Sequence, residues 1–522
     1  MLARPVLESL AVPLDLSPAD ALECDDPSLA VAVAELPAPA IATAQISGRA
    51  DSGEDLTQGS ILRHVIRLAI PSALANLFNF SYNFVNMLWL GRLGPSAIAV
   101  TSTYQYFFMV FVIFNQIVGL GSVSLIARTY GAHEYDDCRR LIGQTFAFKL
   151  VIAIAVMILG LTFQRWAWTA FGSAPEVIEQ GLRYSTIMFW VIPIYFSTFT
   201  LNTALRGIGD MRRLMWISAL STVLNLLIDP LLIFPRVFIG PFPSLGITKP
   251  LLELPGMGLG VAGAAWASFG SIVVMFVMGL WFFTAGRTFI RVGWRDFFGW
   301  DWHTVWRILR IGTPPAVGEN MNSIAQVVIG RVINIFGTSI FAANGINGTI
   351  FGLVGVPLSG VGQAVVTMVG QNLGGRKPAR AERSVYVSLA LTVAIVAVGL
   401  AVCYPLAPLL IHLFVPGHDT AALETARWGT LILRINVWAF LVMAVAGPIG
   451  AAFWGSGDTK PAMWSALIGT WCVQLPLIMA GVYLFHWSDP RYIWWASVAS
   501  ATVGAVYLML VFRKGRWKTV KV

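Results

Sequence analysis

The chain has 522 residues, 57% hydrophobic and only 12% charged, with a formal net charge of +9. Soluble proteins carry about 25% charged residues and need them to cover their surface. Together with a mean hydropathy of +0.71, this excludes a soluble enzyme, a disordered protein and a disulfide scaffold, and leaves an all-α polytopic membrane protein.

Charge is spread unevenly. Residues 1–60 hold ten acids and two bases, a net −8, leaving +17 on the other 462. This segment reads as a disordered, acidic, Ala/Pro-rich tail, with an amphipathic interfacial stretch around 28–47 as the alternative. Pro5, Glu8, Pro13, Asp15 and Asp20 interrupt any apolar run, so no secretory signal is expected. Cys24, Cys138, Cys403 and Cys472 show neither zinc nor disulfide spacing. On a membrane chain a basic excess marks cytoplasmic loops, so no nucleic-acid partner is expected.

A span needs about 20 mostly apolar residues. Such stretches recur at about 61–90, 96–128, 137–165, 175–206, 211–235 and 258–287. They continue at about 302–336, 339–371, 378–411, 420–454, 460–485 and 490–513. Twelve transmembrane helices are predicted. Connections on one side then hold 21 Lys and Arg, among them Arg139, Arg140, Arg212, Arg213, Lys377 and Arg380. The other side holds five: Arg92, Arg165, Arg236, Lys249 and Arg491. By the positive-inside rule both termini are expected in the cytoplasm, with the chain in the inner membrane.

The two halves repeat. Leu205-Arg-Gly-Ile-Gly-Asp210 recurs as Phe453-Trp-Gly-Ser-Gly-Asp458 at an offset of 248. At an offset of 243, Pro71 matches Pro314, Asn79 matches Asn322 and Gly94 matches Gly337. Each half has an even number of spans, so the repeats enter the membrane in the same orientation. The expected organisation is a tail (1–60), an N-terminal six-helix lobe (61–290) and an inter-lobe cytoplasmic connection (291–301). A pseudo-symmetric C-terminal six-helix lobe (302–514) and a basic cytoplasmic tail (515–522) follow. Such repeats usually enclose a substrate cavity between bundles that rock against each other; a duplicated scaffold without transport is the bland alternative.

Several stretches then point to a family: Val85-Asn-Met-Leu-Trp-Leu-Gly-Arg-Leu-Gly94, Ala127-Arg-Thr-Tyr-Gly-Ala132, Leu205–Asp210, Leu224-Asn-Leu-Leu-Ile-Asp-Pro230 and Gly260–Ser268. In this order, with twelve spans and a duplication, the chain resembles the MATE (multidrug and toxic compound extrusion) transporters, most like their DinF-type prokaryotic branch. The resemblance covers about 60–514. It implies two lobes in a V and secondary active antiport, in which proton or sodium entry drives export of organic, often cationic, compounds.

Charge within a membrane is costly, so each instance is a candidate functional residue. Asp229 lies 16 residues from Arg213, about 24 Å along a helix. Asn225 is one turn below on the same face, and Pro230 frees a backbone carbonyl nearby. Asn86 and Ser268 reach similar depth, each 19 residues from an inner arginine, about 28 Å. The repeat places Val473 and Leu477 opposite Asn225 and Asp229, so the other half lacks this polar pair. The resemblance implies that Asn86, Asn225, Asp229 and Ser268 form the cation-coupling site. The family pattern usually has Asp where this chain has Asn86. Asn does not titrate, so the mutual pKa elevation of two carboxylates is missing; four oxygen ligands would equally suit sodium. Both coupling ions stay open, and no other metal or cofactor is expected.

Glu319 lies nine residues above Arg310, about 13 Å in, after Pro314-Pro315, where a kink is expected. It either faces a cavity and attracts cationic substrates or is an internal residue bonded to Asn320 or Asn322. Tyr82 and Tyr104 are candidate cavity-lining residues. Lys149, Arg331 and Arg434 read as structural, with Lys149 reaching the inner surface. Function as a monomer is expected. The rivals are a lipid-linked-saccharide flippase of the same superfamily, which favours extra spans and a cationic cavity, and a membrane-embedded enzyme such as an acyltransferase. The latter needs a catalytic cluster; His64, His133, His303, His412, His418 and His486 all fall at span ends or in loops.

Overall fold

A computed structural model describes residues 55–171, 175–239, 252–415, 417 and 419–520. Twelve long helices appear among them. The first six are α1 Ile61–Gly91, α2 Pro95–Gly131, α3 Tyr135–Ala170, α4 Pro175–Ile208, α5 Met211–Ile233 and α6 Val261–Thr284. The second six are α7 Trp302–Ile335, α8 Thr338–Gly374, α9 Pro378–Phe414, α10 Thr420–Ser456, α11 Lys460–Leu484 and α12 Arg491–Arg513. Eleven are long and apolar enough to cross a membrane. α7 is as long, but Arg307, Arg310, Glu319 and Arg331 dilute its apolar surface. It continues unbroken through Pro314 and Pro315. The chain is a multi-pass membrane protein.

The predicted spans agree with the helices to within a few residues, and the ends have local causes. Asp210 caps α5 by accepting from the Arg213 amide at 3.2 Å. Asp301 caps α7, accepting from the amides of His303 and Thr304 at 3.1 and 3.0 Å. Beyond α5 the chain forms an unanticipated antiparallel hairpin, β1 Arg236–Ile239 with β2 Leu252–Pro255, in the register Arg236↔Pro255 to Ile239↔Leu252. Arg236 Nη1 meets Glu253 Oε1 across it at 3.3 Å. The loop 240–251 with Lys249, and His418, lie outside the described residues.

The repeat is visible in packing and backbone alike. In the first six helices α1 packs on α5, α2 on α3 and α4, and α6 on α4 and α5. The same pairs recur six helices later: α7 on α11, α8 on α9 and α10, α12 on α10 and α11. Matched glycines share left-handed backbone that a side chain would strain: Gly209 (φ 86°) with Gly457 (φ 80°), and Gly94 (φ 111°) with Gly337 (φ 120°).

The lobes meet through α1, α2, α7 and α8, with α1 on α8, α2 on α7 and α2 on α8. Small residues bring these backbones together. A Cβ on Gly312 of α7 would run into the Ile117 carbonyl of α2, and one on Gly121 into the Ile308 carbonyl. Gly131, Gly374 and Gly360 sit equally close to Gln371, Arg128 and Ala69. These contacts, and the side-chain bonds between lobes, fall toward one end of the helices, called the inner end here, where residues 55–60 and 514–520 also lie. There Thr367 Oγ1 and Gln371 Nε2 donate to the carbonyls of Arg206 and Gly207 at 2.9 and 3.0 Å. Nearer mid-helix, Asn320 Nδ2 donates to Gln116 Oε1 at 3.2 Å, and Ser72 Oγ to Gln363 Oε1 at 3.0 Å.

The expected tail boundary at residue 60 is corrected. Leu56 and Thr57 are buried, 4% and 5% exposed, because the preceding loop of α1 is clasped by the other lobe. Lys377 Nζ donates to the Thr57 carbonyl and hydroxyl at 2.9 and 2.8 Å. The Arg380 guanidinium donates to the carbonyls of Leu56, Gln58 and Gly59. Burial acts to raise the Asp55 pKa, but the Thr57 hydroxyl and amide, with His133 and Lys377, hold it below its ordinary value. A depressed carboxylate stabilises the fold above its unfolded pKa of about 4 and ceases to as pH falls through the folded value. The basic tail is likewise anchored: Trp517 is fully buried against Phe512, Lys518 pairs with Glu382 at 2.7 Å, and Arg128 Nη1 donates to the Val520 carbonyl at 2.7 Å. Residues 1–54, with Cys24 and the 28–47 stretch, lie outside the described residues.

Two predictions follow from this geometry. In a variant lacking the native cysteines, single cysteines at Ser244 and Lys514 label from opposite sides of sealed vesicles; same-side labelling breaks the twelve-span topology. The double variant Lys377→Ala, Arg380→Ala loses charged donors worth about 1.5–3 kcal/mol each when buried, less here because Arg380 is partly exposed. Faster amide exchange over residues 55–60 than in the parent is the expected readout.

Candidate functional site: a buried oxygen cluster in the N-terminal lobe

The predicted polar residues fall in the wedge between α1, α5 and α6. Two bonds set the level of these helices. Thr222 Oγ1 on α5 donates to the Phe78 carbonyl on α1 at 3.1 Å. Ser221 Oγ donates to the Ser271 carbonyl on α6 at 3.4 Å. α1 and α5 run in the same direction, so Asn86 lies about 12 Å beyond the first bond and Asp229 about 10 Å beyond it. α6 runs the other way, so Asn225 and Ser268 lie about 6 and 4.5 Å beyond the second. Tyr82, Asn225 and Ser268 thus form one layer, with Asn86 and Asp229 one turn further out.

Asp229 is fully buried, and Asn225 and Ser268 are 1% and 2% exposed. Asn225 Nδ2 donates to Asp229 Oδ1 at 3.1 Å. That leaves Asp229 Oδ2 and Asn225 Oδ1 buried without a partner, and Asn86 Oδ1 is buried and unpartnered as well. Buried acceptors are nearly always satisfied, and leaving one empty costs about 1–3 kcal/mol. Asn86 is one turn beyond Tyr82 on the same face of α1, so all three belong to the faces that carry the Tyr82–Ser268 and Asn225–Asp229 bonds.

The two tyrosines stand apart from the cavity-lining role expected of them. Tyr82 OH donates to Ser268 Oγ at 2.7 Å and so joins the polar layer within the lobe. Tyr104 is 3% exposed in the lobe core, stacked on Phe108 and edge-on to Tyr184 with centroids 5.8 and 5.1 Å apart. Glu319 is half-buried on α7, on the same face as Gly312 two turns earlier, the face that meets α2. Neither expected neighbour binds it: Asn320 donates to Gln116 and to the Ala316 carbonyl, and Asn322 accepts from Thr470.

The matching place in the second lobe is built differently. Over Ile468–Gln474 and Ala480–Leu484, α11 takes wider π-helical turns. Its polar groups find partners: Gln474 with Ser497 at 2.7 Å, Thr470 with Asn322 at 3.3 Å, and the Trp471 indole with the Met321 carbonyl. Leu477, opposite Asp229 in the repeat, is 45% exposed.

Sequence reasoning missed one group. Lys149 does not reach the inner surface: it is fully buried, its Nζ unpartnered and 4.4 Å from the Phe199 ring centroid. Gly119 makes the room, since a Cβ there would strike Phe199. The available signal was its place nine residues inside an apolar span. Arg434 lies 5.3 Å over the Tyr404 ring.

Comparison with known proteins decides the family. The MatE family model matches residues 71–231 and again 314–479, once on each repeat. The chain belongs to the MatE family. It is a membrane transporter, not an enzyme. Among curated relatives, the Bacillus subtilis (strain 168) protein named "Probable multidrug resistance protein YoeA" is 24% identical over 463 residues, 88% of this chain and 95% of its own. The Bradyrhizobium diazoefficiens "Probable multidrug resistance protein NorM" is 25% identical, over 81% of this chain and 86% of its own. A solved structure described as MATE in complex with MaL6 superposes with a TM-score of 0.79 at 23% identity, covering 90% of this chain and all of that one. Another, described as the outward-facing conformation of a multidrug resistance MATE family transporter, gives 0.78 at 22%, covering 90% of this chain and 99% of that one. At such identities these structures speak for the twelve-helix, two-lobe fold.

The Tyr82 bond gives a test of role. Tyr82→Phe removes a hydrogen bond worth about 1 kcal/mol without changing the ring. Lower thermal stability of the purified protein with unchanged affinity for a fluorescent dye is expected; a large affinity loss returns Tyr82 to the substrate surface.

Proposed function

We propose that the chain is a cation-coupled multidrug antiporter of the inner membrane, with both termini cytoplasmic, exporting organic and often cationic compounds by alternating access. The observation that carries this reading is the trio of unpartnered buried oxygens on Asn86, Asn225 and Asp229, at a place in the fold where the other lobe has its Thr470 and Gln474 side chains paired. Buried oxygens without a protein partner are the groups that a bound proton or small cation would satisfy. The names of the curated relatives support the substrate class.

In this mechanism Asp229 takes up a proton, or with the amide oxygens and Ser268 a sodium ion. Neutralising the carboxylate removes the penalty for enclosing it in apolar surroundings. Occupancy therefore favours the state in which the wedge is shut, and its loss favours the open one. The lobes rock about the glycine contacts of α1, α2, α7 and α8. Glu319, on the α7 face toward the other lobe, attracts cationic substrates.

Asp229→Asn keeps the shape and folds, because an amide is less costly to bury than a carboxylate. It is expected to abolish efflux driven by an ion gradient in liposomes, measured separately under proton and sodium gradients. Full gradient-driven activity of the folded variant overturns the coupling role. Asn86→Asp is expected to move the pH optimum, since two close carboxylates titrate as a pair. Glu319→Gln is expected to weaken efflux of cationic dyes more than of neutral ones; equal loss, with poor expression, identifies a structural residue.

A further inference from the structure

The N-terminal lobe holds a second group of unmet polar atoms, away from the Asp229 wedge. α2, α3 and α4 pack on one another, and Lys149 of α3 lies between them. It is fully buried, its Nζ has no hydrogen-bond partner, and the Phe199 ring of α4 is 4.4 Å away. A Cβ on Gly119 of α2 would come within 3.5 Å of that nitrogen. Asn115 is one turn from Gly119 on the same face of α2; it is 1% exposed and its Oδ1 is unpartnered. Asn202 and Arg206 follow Phe199 along one face of α4. Asn202 Oδ1 and Arg206 Nε are buried without partners as well. The charge of Arg206 is near enough to act on that of Lys149.

The surrounding side chains do not answer these groups. The hydroxyls of Ser122, Thr145 and Thr203 donate to carbonyls of their own helices, at Gly119, Leu141 and Phe199. Among the described residues neither Lys149 nor Arg206 pairs with an acid. Asp210 and Asp296, toward the inner end, pair with Arg213 and Arg139. A cation shut away from water is either paired or gives up its charge, and arginine cannot give it up. Two neighbouring cations with amides beside them and no carboxylate therefore call for an anion from solution. The enclosure of the Lys149 amine restricts that anion to a small one. We propose that Lys149 and Arg206 bind a halide ion, chloride in the cell, between α2, α3 and α4.

The amides complete the site. A flip exchanges the oxygen and nitrogen of an amide, so Asn115 and Asn202 can each turn an NH2 group toward the ion. Arg206 lies two residues before the end of α4 at Ile208, which places the entry for the ion at the inner end of the lobe. The ion would tie three helices together through charge where the glycine leaves no side chain to interlock. This site is separate from the coupling role of Asp229 and stands whether or not that role holds.

The test follows the thermal unfolding midpoint of the purified full-length protein as sodium chloride replaces sodium gluconate, with sodium and ionic strength held constant. The midpoint is expected to rise with chloride, because an ion bound only by the folded protein stabilises it. Bromide is expected to act alike, and crystals grown in bromide to show an anomalous peak beside Lys149 Nζ. Lys149→Met keeps an unbranched side chain without the charge and is expected to abolish the rise. Arg206→Gln removes a charged donor and is expected to raise the half-effective chloride concentration by roughly tenfold. Should Lys149→Met fail to fold, Arg206→Gln and the bromide peak decide. Three results overturn the proposal. One is equal midpoints in chloride and gluconate for the parent chain, the behaviour of a neutral lysine held by water. Another is a full chloride response in the folded variants, which marks a general salt effect. The third is bromide bound only elsewhere.

Discussion

The contact of bare backbone against bare backbone at Gly121, Gly312, Gly131 and Gly374 is the constraint on which the rest of the molecule depends. In a bilayer there is no hydrophobic gain in joining two helices, because lipid tails are as apolar as leucine. Lobes built of helices therefore adhere through close approach, and glycine permits it. Such a contact has few interlocking side chains. It can be strong when shut yet separate without repacking a core. The hydrogen bonds around it, Thr367 to the Arg206 carbonyl, Gln371 to the Gly207 carbonyl and Arg128 to the Val520 carbonyl, reach main-chain acceptors across the lobes. They reinforce closure at one end and leave each lobe's interior independent.

Duplication supplied the frame, and divergence supplied the chemistry. The helix pairings of one lobe are copied in the other, down to the positive-φ glycines. The wedge between the first, fifth and sixth helices of each repeat is not copied. In one lobe it holds a carboxylate and two amides with acceptors left over. In the other, Gln474, Thr470 and Trp471 are paired and the helix widens into π turns around them. An unmet buried acceptor works against stability in every folded molecule, so its presence in only one of two equivalent places is hard to attribute to scaffold needs.

What could be read from the residues was whatever short-range physics dictates. Apolar run length gave twelve spans, glycine and aspartate at fixed spacing gave the repeat, and polar residues deep in apolar runs gave Asn86, Asn225, Asp229 and Ser268. What could not be read depends on distant partners. The loop 55–60 has one acid, a glycine and a serine, as a tail would; it is ordered because Arg380, 324 residues beyond Leu56, reaches its carbonyls. Tyr82 and Tyr104 are alike in composition and context, and only tertiary packing sends one to Ser268 and the other into a ring cluster. Lys149 looked able to reach water, but its surroundings close over it through Gly119 and Phe199.

The pairing of a lone carboxylate, Asp229, with the amide of Asn86 has a thermodynamic consequence for the proposed coupling. If coupling runs through Asp229 alone, as proposed, one elementary charge enters per turn of the cycle. One charge falling through a membrane potential of 100 mV yields about 2.3 kcal/mol, enough to sustain a concentration ratio of roughly fiftyfold for a neutral solute. For a monovalent cation exchanged against a single proton the electrical work cancels, and only the chemical gradient of the proton remains, a factor of ten for each pH unit. Under the coupling proposed for Asp229, uncharged compounds would be concentrated outside the cell more steeply than cationic ones whenever the membrane potential is the main store of energy.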